Sequence, residues 1–491
     1  MNNLYIENIE DSNPKLTVNE YCKKLLGKNS SPIYLLVTYP YKQYWLPAES
    51  KYTAESNSRE KVNPVEGNNT SASHYNPLIY LTAFYSLSNY RSTTIVKVAV
   101  SEDFTAFENA LKSYPENLND EVFPSICQQL CLPYFSSNRI LELEPVHIPK
   151  PWGQEIWYTG IEERGVASLK AQGFSSPLPW VLSALPAEMC ADSQQSLILL
   201  KILDPSPDPA FGDLYFELHQ EKREVYVVTA IDPQAWPMGK GAIRFGFNQD
   251  KRREYVSDAA FKSGFLASVK EYEHIRRKID DFIDTLRERD GFPQDQLVDN
   301  TVLNTWLGEV PDDWSSEEST LHSNVELFTG TLALSVGDVI KVPCFIPHSL
   351  QHGVRTIEFQ TPVYERLIVS FNQKVQTQAH WDTAEAAEVM SLEPIPREDV
   401  FALIEEPGVR REKIVEFEDF DVIRIELDTA RGIALADIES YCLIIGIQGL
   451  IDIQGDVIGP EQSALLTRTM NGVKIVPFHG DSACFLVAYP K

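Results

Sequence analysis

The sequence predicts a mainly β protein: two small β-barrels with one helical insertion, preceded by an N-terminal extension of α/β type. Three observations carry that prediction. From about residue 141 onward, short apolar runs alternate with Pro and Gly punctuation, the pattern of short strands and turns. One block breaks the pattern. Phe261, Phe265, Val269, Tyr272, Ile279, Phe282 and Leu286 recur at intervals of three, four and seven, with Lys, Arg and Glu between them. Finally, histidines and carboxylates gather at two places within the β-rich stretch: Glu217-Leu218-His219 with Glu224, and His348 at the end of residues 337–348.

A chain of 491 residues suggests about three domains. Residues 1–140 form the extension, with one clear strand at Pro32–Thr38 and helices expected around 104–113 and 121–132. Between them, Ala48 to Asn76 is rich in Ser, Asn and Glu and reads as a long loop, with His74 solvated in it. No site chemistry is legible in this region. Residues 141–390 form the first barrel, interrupted at about 256–310 by the helical block. That block reads as one long amphipathic helix ending near Asp290-Gly291, its aromatic stripe serving core packing. Residues 391–491 carry short strands at Val422–Leu427, Tyr441–Gly446, Leu450–Ile453, Val473–Val476 and Ala483–Ala488. They hold no pairing of His with acid, only His479, so a second barrel or sandwich without metal is expected.

Composition narrows the partners. The net charge of −27 repels phosphate and argues against nucleic acid and anionic membranes. A phosphorylated ligand would need a local cationic pocket. Seven scattered cysteines, an odd number, fit unpaired thiols in a reducing cytoplasm. Cys127 and Cys131 lack a second pair, so zinc is not expected there. With no basic-then-apolar leader and no apolar run of membrane length, the expected location is cytoplasmic.

Strand alternation places Glu217 and His219 on one face, residues 220–223 can turn, and Glu224 opens a returning strand; a hairpin is expected. Gly337-Asp338 reads as a turn into a short strand whose Pro-kinked exit delivers His348. Two neutral imidazoles and two carboxylates suit a divalent cation such as Zn²⁺, Mn²⁺ or Fe²⁺. The bland reading, solvated strand side chains, fits either half alone better than both halves in this order. Other residues have bland readings too: Lys201 as a carboxylate-paired strand lysine, Arg366 as an interdomain salt bridge, His352 at a strand end in solvent.

Further motifs fall in a recognisable order: Lys150-Pro151-Trp152-Gly153, Leu199-Leu200-Lys201-Ile202-Leu203, the Glu217–Glu224 segment, residues 337–348, then Thr356-Ile357-Glu358-Phe359-Gln360 and Arg366. In this the chain resembles the cupins, and within them the type I phosphomannose isomerases, over roughly residues 141–491. The resemblance implies two jelly-roll cupin domains, the second without metal. It implies one divalent ion, Zn²⁺ first with Mn²⁺ and Fe²⁺ open, on Glu217, His219, Glu224 and His348. It further implies catalytic roles for Arg366 and Lys222, and a substrate pocket containing Lys201, Tyr215 and Glu358. The implied activity is metal-dependent aldose–ketose isomerisation of a phosphorylated hexose, most simply mannose 6-phosphate to fructose 6-phosphate, with a small sugar phosphate as partner.

The chain also departs from that family. Glu217 stands where the family has glutamine, and Tyr215 where it has a phosphate-binding serine. The connection between the ligands of the hairpin shrinks to four residues, and the acid expected ahead of the arginine is absent from Pro362-Val363-Tyr364-Glu365-Arg366. Two alternatives stay open: a metal-dependent cupin oxygenase or lyase, and a sugar-binding cupin without turnover. The feature that separates these readings is Lys201 together with Arg366, since an oxygenase has no need for both. Oligomeric state is left open.

Overall fold

The computed structural model describes residues 4–9, 33–41, 79–87, 93–114, 119–162, 165–191, 196–294, 296–395, 401–428 and 431–491, with isolated positions between 15 and 20. The expected loop from Ala48 to Asn76, His74 included, lies outside the described residues. The protein is mainly β, built from several antiparallel sheets.

The N-terminal sheet orders Leu4–Asn8, Ile33–Pro40, Tyr80–Leu87, Thr93–Ser101 and Tyr134–Ser136, the first pair parallel and the rest antiparallel. Helices Ala106–Leu111 and Val122–Leu130 cover one face, where Tyr34, Phe84, Phe107 and Phe123 stack in series. The other face is also covered: Leu35, Val37, Tyr39, Tyr85 and Val98 join the main core. Burial on both faces explains why Ile33–Pro40 reads as a continuous apolar run without alternation. The Tyr85 hydroxyl donates to the Ala184 carbonyl at 2.8 Å, tying the sheet to helix Leu178–Ala184.

Two sheets frame the site. The six-stranded one orders Val339–Val342, Glu224–Ile231, Val354–Gln360, Leu199–Pro205, Gly153–Trp157 and Val146–Lys150. The five-stranded one orders Thr329–Leu334, Gly241–Phe247, His348–Leu350, Phe216–Leu218 and Leu367–Ser370. Their facing side chains, including Leu203, Tyr226, Val354, Leu218, Ile243 and Ile368, share one core. Among the described residues the two sheets do not close into the expected barrel. The expected hairpin is not formed either: Phe216–Leu218 lies in one sheet and Glu224–Ile231 in the other, so residues 219–223 cross between layers. Strands this short change sheet at a bend instead of folding back on themselves.

The helical insertion lies between Gly241–Phe247 and Thr329–Leu334. Its main helix, Asp258–Asp290, starts where the Ser257 hydroxyl accepts from the Ala260 N–H and stops at Gly291, whose φ of +79° is the left-handed conformation glycine adopts without strain. Phe261, Phe265, Val269, Tyr272, Ile275, Ile279, Ile283 and Leu286 form its buried stripe. Each such side chain contributes about 1.5–3 kcal/mol by burial. The helical region runs beyond 310 through Asp312–Glu326, whose sequence is polar around most of its surface. That helix is held by particular contacts: Glu318 accepts from the Tyr272 hydroxyl at 3.1 Å, and Trp314 meets Phe282 edge-on.

A nine-stranded sheet gathers Phe401–Glu406, Val409–Glu416, Phe420–Leu427, Ala483–Pro490, Tyr441–Gln448 and Ser463–Thr467, and continues into Leu141–Glu144, Ser168–Ala171 and Phe174–Pro177. One face packs on the small sheet of Ile433–Leu435, Val473–Pro477, Ile451–Ile453 and Asp456–Ile458 through Ile425, Ile444, Phe485 and Ile475. Its opposite face, with Leu443, Ile445 and Leu486, shares a core with Ile202, Val225, Val227 and Phe359 from the outer side of the six-stranded sheet. The six cysteines among the described residues are free, and no described helix is long and apolar enough to cross a membrane.

Candidate metal centre and active-site cleft

The register of the five-stranded sheet pairs Glu217 directly with His348, so the two halves of the sequence motif become cross-strand neighbours. His219 follows one residue after the end of its strand, and Glu224 opens the strand that enters the opposite sheet. Donor atoms of Glu217, His219 and His348 all lie within 4.8 Å of one another. Each imidazole is oriented through its far nitrogen: Nδ1 of His219 donates to the Glu365 carbonyl at 2.9 Å, and Nδ1 of His348 to the Ile346 carbonyl at 3.0 Å. That tautomer leaves both Nε2 lone pairs facing the site.

Charge and burial fit a cation there. Burial, reinforced by the Lys222 ammonium, pushes the His219 pKa well below its ordinary value and keeps the ring neutral. Nε2 of His219 and Oε2 of Glu217 are buried without a hydrogen-bond partner, a costly state that a bound divalent ion would relieve. Nε2 of His219 lies 3.8 Å from Oε1 of Glu217 and 3.4 Å from Oε1 of Glu224. A tetrahedral ion with bonds of about 2.0–2.2 Å sets its donors about 3.4 Å apart.

Glu224 occupies a different position from the other three. Its Oε1 also faces Lys222 Nζ at 2.7 Å, and its Oε2 accepts from the Tyr226 hydroxyl at 2.5 Å and lies 3.2 Å from His348 Nε2. Burial alone would raise its pKa, but Lys222 and the two imidazoles hold the carboxyl well below the usual range. Of the four expected ligands, three thus form the mutually close group, and Glu224 bridges the imidazoles from beside it.

A cleft of about 680 Å³, counted to its open mouth, leads to this group and is lined by Lys150, Glu155, Lys201, Glu217, Lys222 and Arg366 among others. Lys201 lies between Trp157 and Glu358 across its neighbouring strands. Its ammonium is 3.3 Å from Glu358 and 3.7 Å from Glu155, so the carboxylate pairing foreseen as the bland reading is present. Glu358 is pushed in the opposite direction from Glu224: burial, then the charge of Glu224, raise its pKa well above the ordinary value. Arg366 donates to Thr377 Oγ1 at 3.0 Å and stacks 4.9 Å over the Tyr215 ring. Tyr215 itself, 7% exposed and packed 4.3 Å from Phe371, sits beneath that guanidinium instead of on the cleft wall. His352 is not at a solvated strand end. It pairs with Asp213 at 2.7 Å and stacks on Trp236.

Sequence reasoning missed three supporting residues. Tyr226 orients Glu224 from two positions along the same strand. Glu365, next to Arg366 where the family's acid was read as absent, accepts a hydrogen bond from His219 Nδ1 on its backbone carbonyl, and its carboxylate accepts from the N–H groups of Gln220 and Glu221. Glu155 pairs with both Lys150 and Lys201. Its signal was present: one acid in the otherwise apolar and aromatic run Glu155-Ile156-Trp157-Tyr158.

No protein-family model matches this sequence, and no curated protein matches it. Among solved structures, the chain is similar to the mannose 6-phosphate isomerase of Bacillus subtilis (14% identity, TM-score 0.46, covering 71% of this chain and 99% of that one). It is also similar to a zinc-bound mannose 6-phosphate isomerase (13%, TM-score 0.47, 72% and 99%) and to the apo form from Salmonella typhimurium (13%, TM-score 0.46, 72% and 99%).

Proposed function

We propose that this chain is a metal-dependent aldose–ketose isomerase of a hexose bearing an anionic group, with mannose 6-phosphate, giving fructose 6-phosphate, as the first substrate to assay. The observation that carries the reading is the close group of Glu217, His219 and His348, whose Glu217 lines the same cleft as Lys222 and Arg366. Isomerisation moves a proton between C1 and C2 through an enediol, so it needs positive charge beside two oxygens that alternate between carbonyl and hydroxyl. Glu217, His219 and His348, with Glu224 beside them, would hold one divalent ion, Zn²⁺ first and Mn²⁺ or Fe²⁺ as alternatives. When bound, such an ion supplies Lewis-acid polarisation of the carbonyl oxygen.

The chain's own groups do the rest. Arg366, half-buried and held against Tyr215 and Thr377, places a permanent charge where enediolate oxygens develop. Lys222, bound to Glu224, is placed to give or take a proton at a substrate hydroxyl. Lys201 binds the anionic end of the sugar. A carboxylate at Glu217 in place of a neutral amide puts more negative charge around the ion and softens it as an electrophile. The test is a coupled assay for fructose 6-phosphate with metal-loaded protein. Turnover that disappears on chelation and returns with Zn²⁺ supports the reading. A fully metal-loaded protein that binds sugars without interconverting them would instead make it a binding protein.

A further inference from the structure

The long helix Asp258–Asp290 buries charge as well as apolar side chains. Its inward stripe carries no charge from Phe261 to Ile275 and then takes in Arg276, Asp280 and Arg287, which are 5%, 6% and 4% exposed. Charged groups at this depth are ordinarily paired. Arg276 is: it donates to Asp280 Oδ1 at 2.9 Å and lies 3.5 Å from Glu318. Asp280 Oδ2 and Arg287 Nε, in contrast, have no hydrogen-bond partner, and that nitrogen comes no nearer the Asp284 carboxylate than 3.9 Å.

Both Asp280 and Arg287 line a cavity of about 260 Å³, several times the roughly 30 Å³ that one water occupies in the liquid. The helix bounds it together with helix Asn300–Leu307 and the segments around residues 209–211 and 372–376. Ile283, Leu303 and Leu307 supply apolar wall, and Asn372 adds a third buried polar atom without a hydrogen-bond partner, its Oδ1. None of Glu217, His219, Glu224 and His348 borders this cavity. Its other cations are already engaged: Arg287 also donates to the Gln296 carbonyl at 2.8 Å, Lys374 to Asp284 at 2.5 Å, and Lys150 faces Glu155 at 3.3 Å.

We propose that this cavity is a second binding site, separate from the metal cleft, and that it takes a neutral hexose. Asp280 Oδ2 and Asn372 Oδ1 offer lone pairs, so the ligand must donate to them; an anion would bring negative charge to a carboxylate instead. Arg287 Nε needs an acceptor. Sugar hydroxyls do both, and the C–H face of a pyranose ring suits Ile283, Leu303 and Leu307. A hydrogen bond to each of the three atoms relieves a desolvation that burial has already imposed. The inference does not rest on the isomerase reading.

The experiment is calorimetry on the full chain with D-mannose, D-glucose and D-fructose. At least one should bind the zinc-loaded protein at one per chain, and its affinity should stay within about twofold after chelation, because no metal donor borders the cavity. Two variants locate the site. Ala210→Trp, at an exposed position on the wall, should abolish binding by filling the cavity. Asn372→Leu removes one acceptor from a half-buried residue and should lower affinity at least about tenfold; it keeps the test decisive if tryptophan disturbs folding, which the melting temperature reports. Binding of none of the three sugars would leave the cavity to water and overturn the proposal. Binding lost on chelation would place the sugar in the metal cleft and overturn it too, as would unchanged binding in either folded variant. Hexose binding of the expected kind in a protein that isomerises nothing would overturn the functional reading and leave this inference standing.

Discussion

The space between the six- and five-stranded sheets and the space between the nine- and four-stranded sheets are built alike and filled differently. In the second, the facing residues are Ile425, Leu427, Ile444, Leu466, Phe485, Ile453 and Ile475, each at most 2% exposed and none of them polar. In the first, Lys201, His219, Lys222, Glu224, His348 and Glu358 are all below 9% exposed at one end of an otherwise apolar core. Burying that many ionisable groups costs several kcal/mol per unpaired charge. Here nearly all of them are paired in a chain from Lys222 through Glu224 to the imidazoles, and from Glu358 through Lys201 to Glu155 and Lys150. The contrast identifies which half of the molecule stores stability and which half uses some of it for a site.

The largest expected break comes from His219→Ala, which removes a donor and should abolish both metal binding and turnover. Arg366→Ala should keep the metal and lower kcat about 10²–10³-fold, because in the proposed isomerisation the guanidinium would act on charge that develops during reaction; equal metal loading with unchanged kcat would refute that role. In the apolar half, Phe485→Ala should cost about 3–5 kcal/mol in denaturant unfolding while leaving metal affinity intact. Lys201→Ala should act mainly on KM, since binding at the anionic end is largely uniform between ground and transition states.

The smallest effect concerns Glu358. Its folded pKa is raised above its unfolded value, so its contribution is fully present below about pH 4.3 and is lost as the pH rises through the folded value. Glu155 has the opposite sign. Burial pushes it up, but Lys150 and Lys201 hold it well below the ordinary range, so its contribution is present above about pH 4.3 and is lost as the pH falls. Hydrogen exchange in acid should therefore open Gly153–Trp157 before Ala483–Pro490. Near neutrality, Glu358→Gln should leave the melting temperature unchanged or slightly higher. A fall of several degrees would show that the Lys201 pairing outweighs burial.

Much of this contrast was legible in the chain itself. The long helix could be read because one apolar stripe repeats over about seven turns from Phe261 to Leu286 and the helix ends on Gly291. Glu217, His219 and His348 could be read because donor types at strand spacing leave few alternatives. The layer change at residues 219–223 could not, since so short a connection fits a hairpin and a corner equally well and only long-range pairing with Leu367–Ser370 and His348–Leu350 decides between them. Helix Asp312–Glu326 was obscured because its contacts, Glu318 with Tyr272 and Trp314 with Phe282, carry no periodic signal. The placement of Tyr215 beneath Arg366 depends on Phe371, a residue far along the chain, and alternation within one strand cannot supply it.

The central claim is one divalent ion on Glu217, His219 and His348. The most direct measurement is the metal content of protein loaded with Zn²⁺ and dialysed against metal-free buffer, for wild type and for His348→Ala. One ion per chain is expected in wild type and background levels in the variant. A wild type that retains no metal, or a variant that retains as much as wild type, would contradict it.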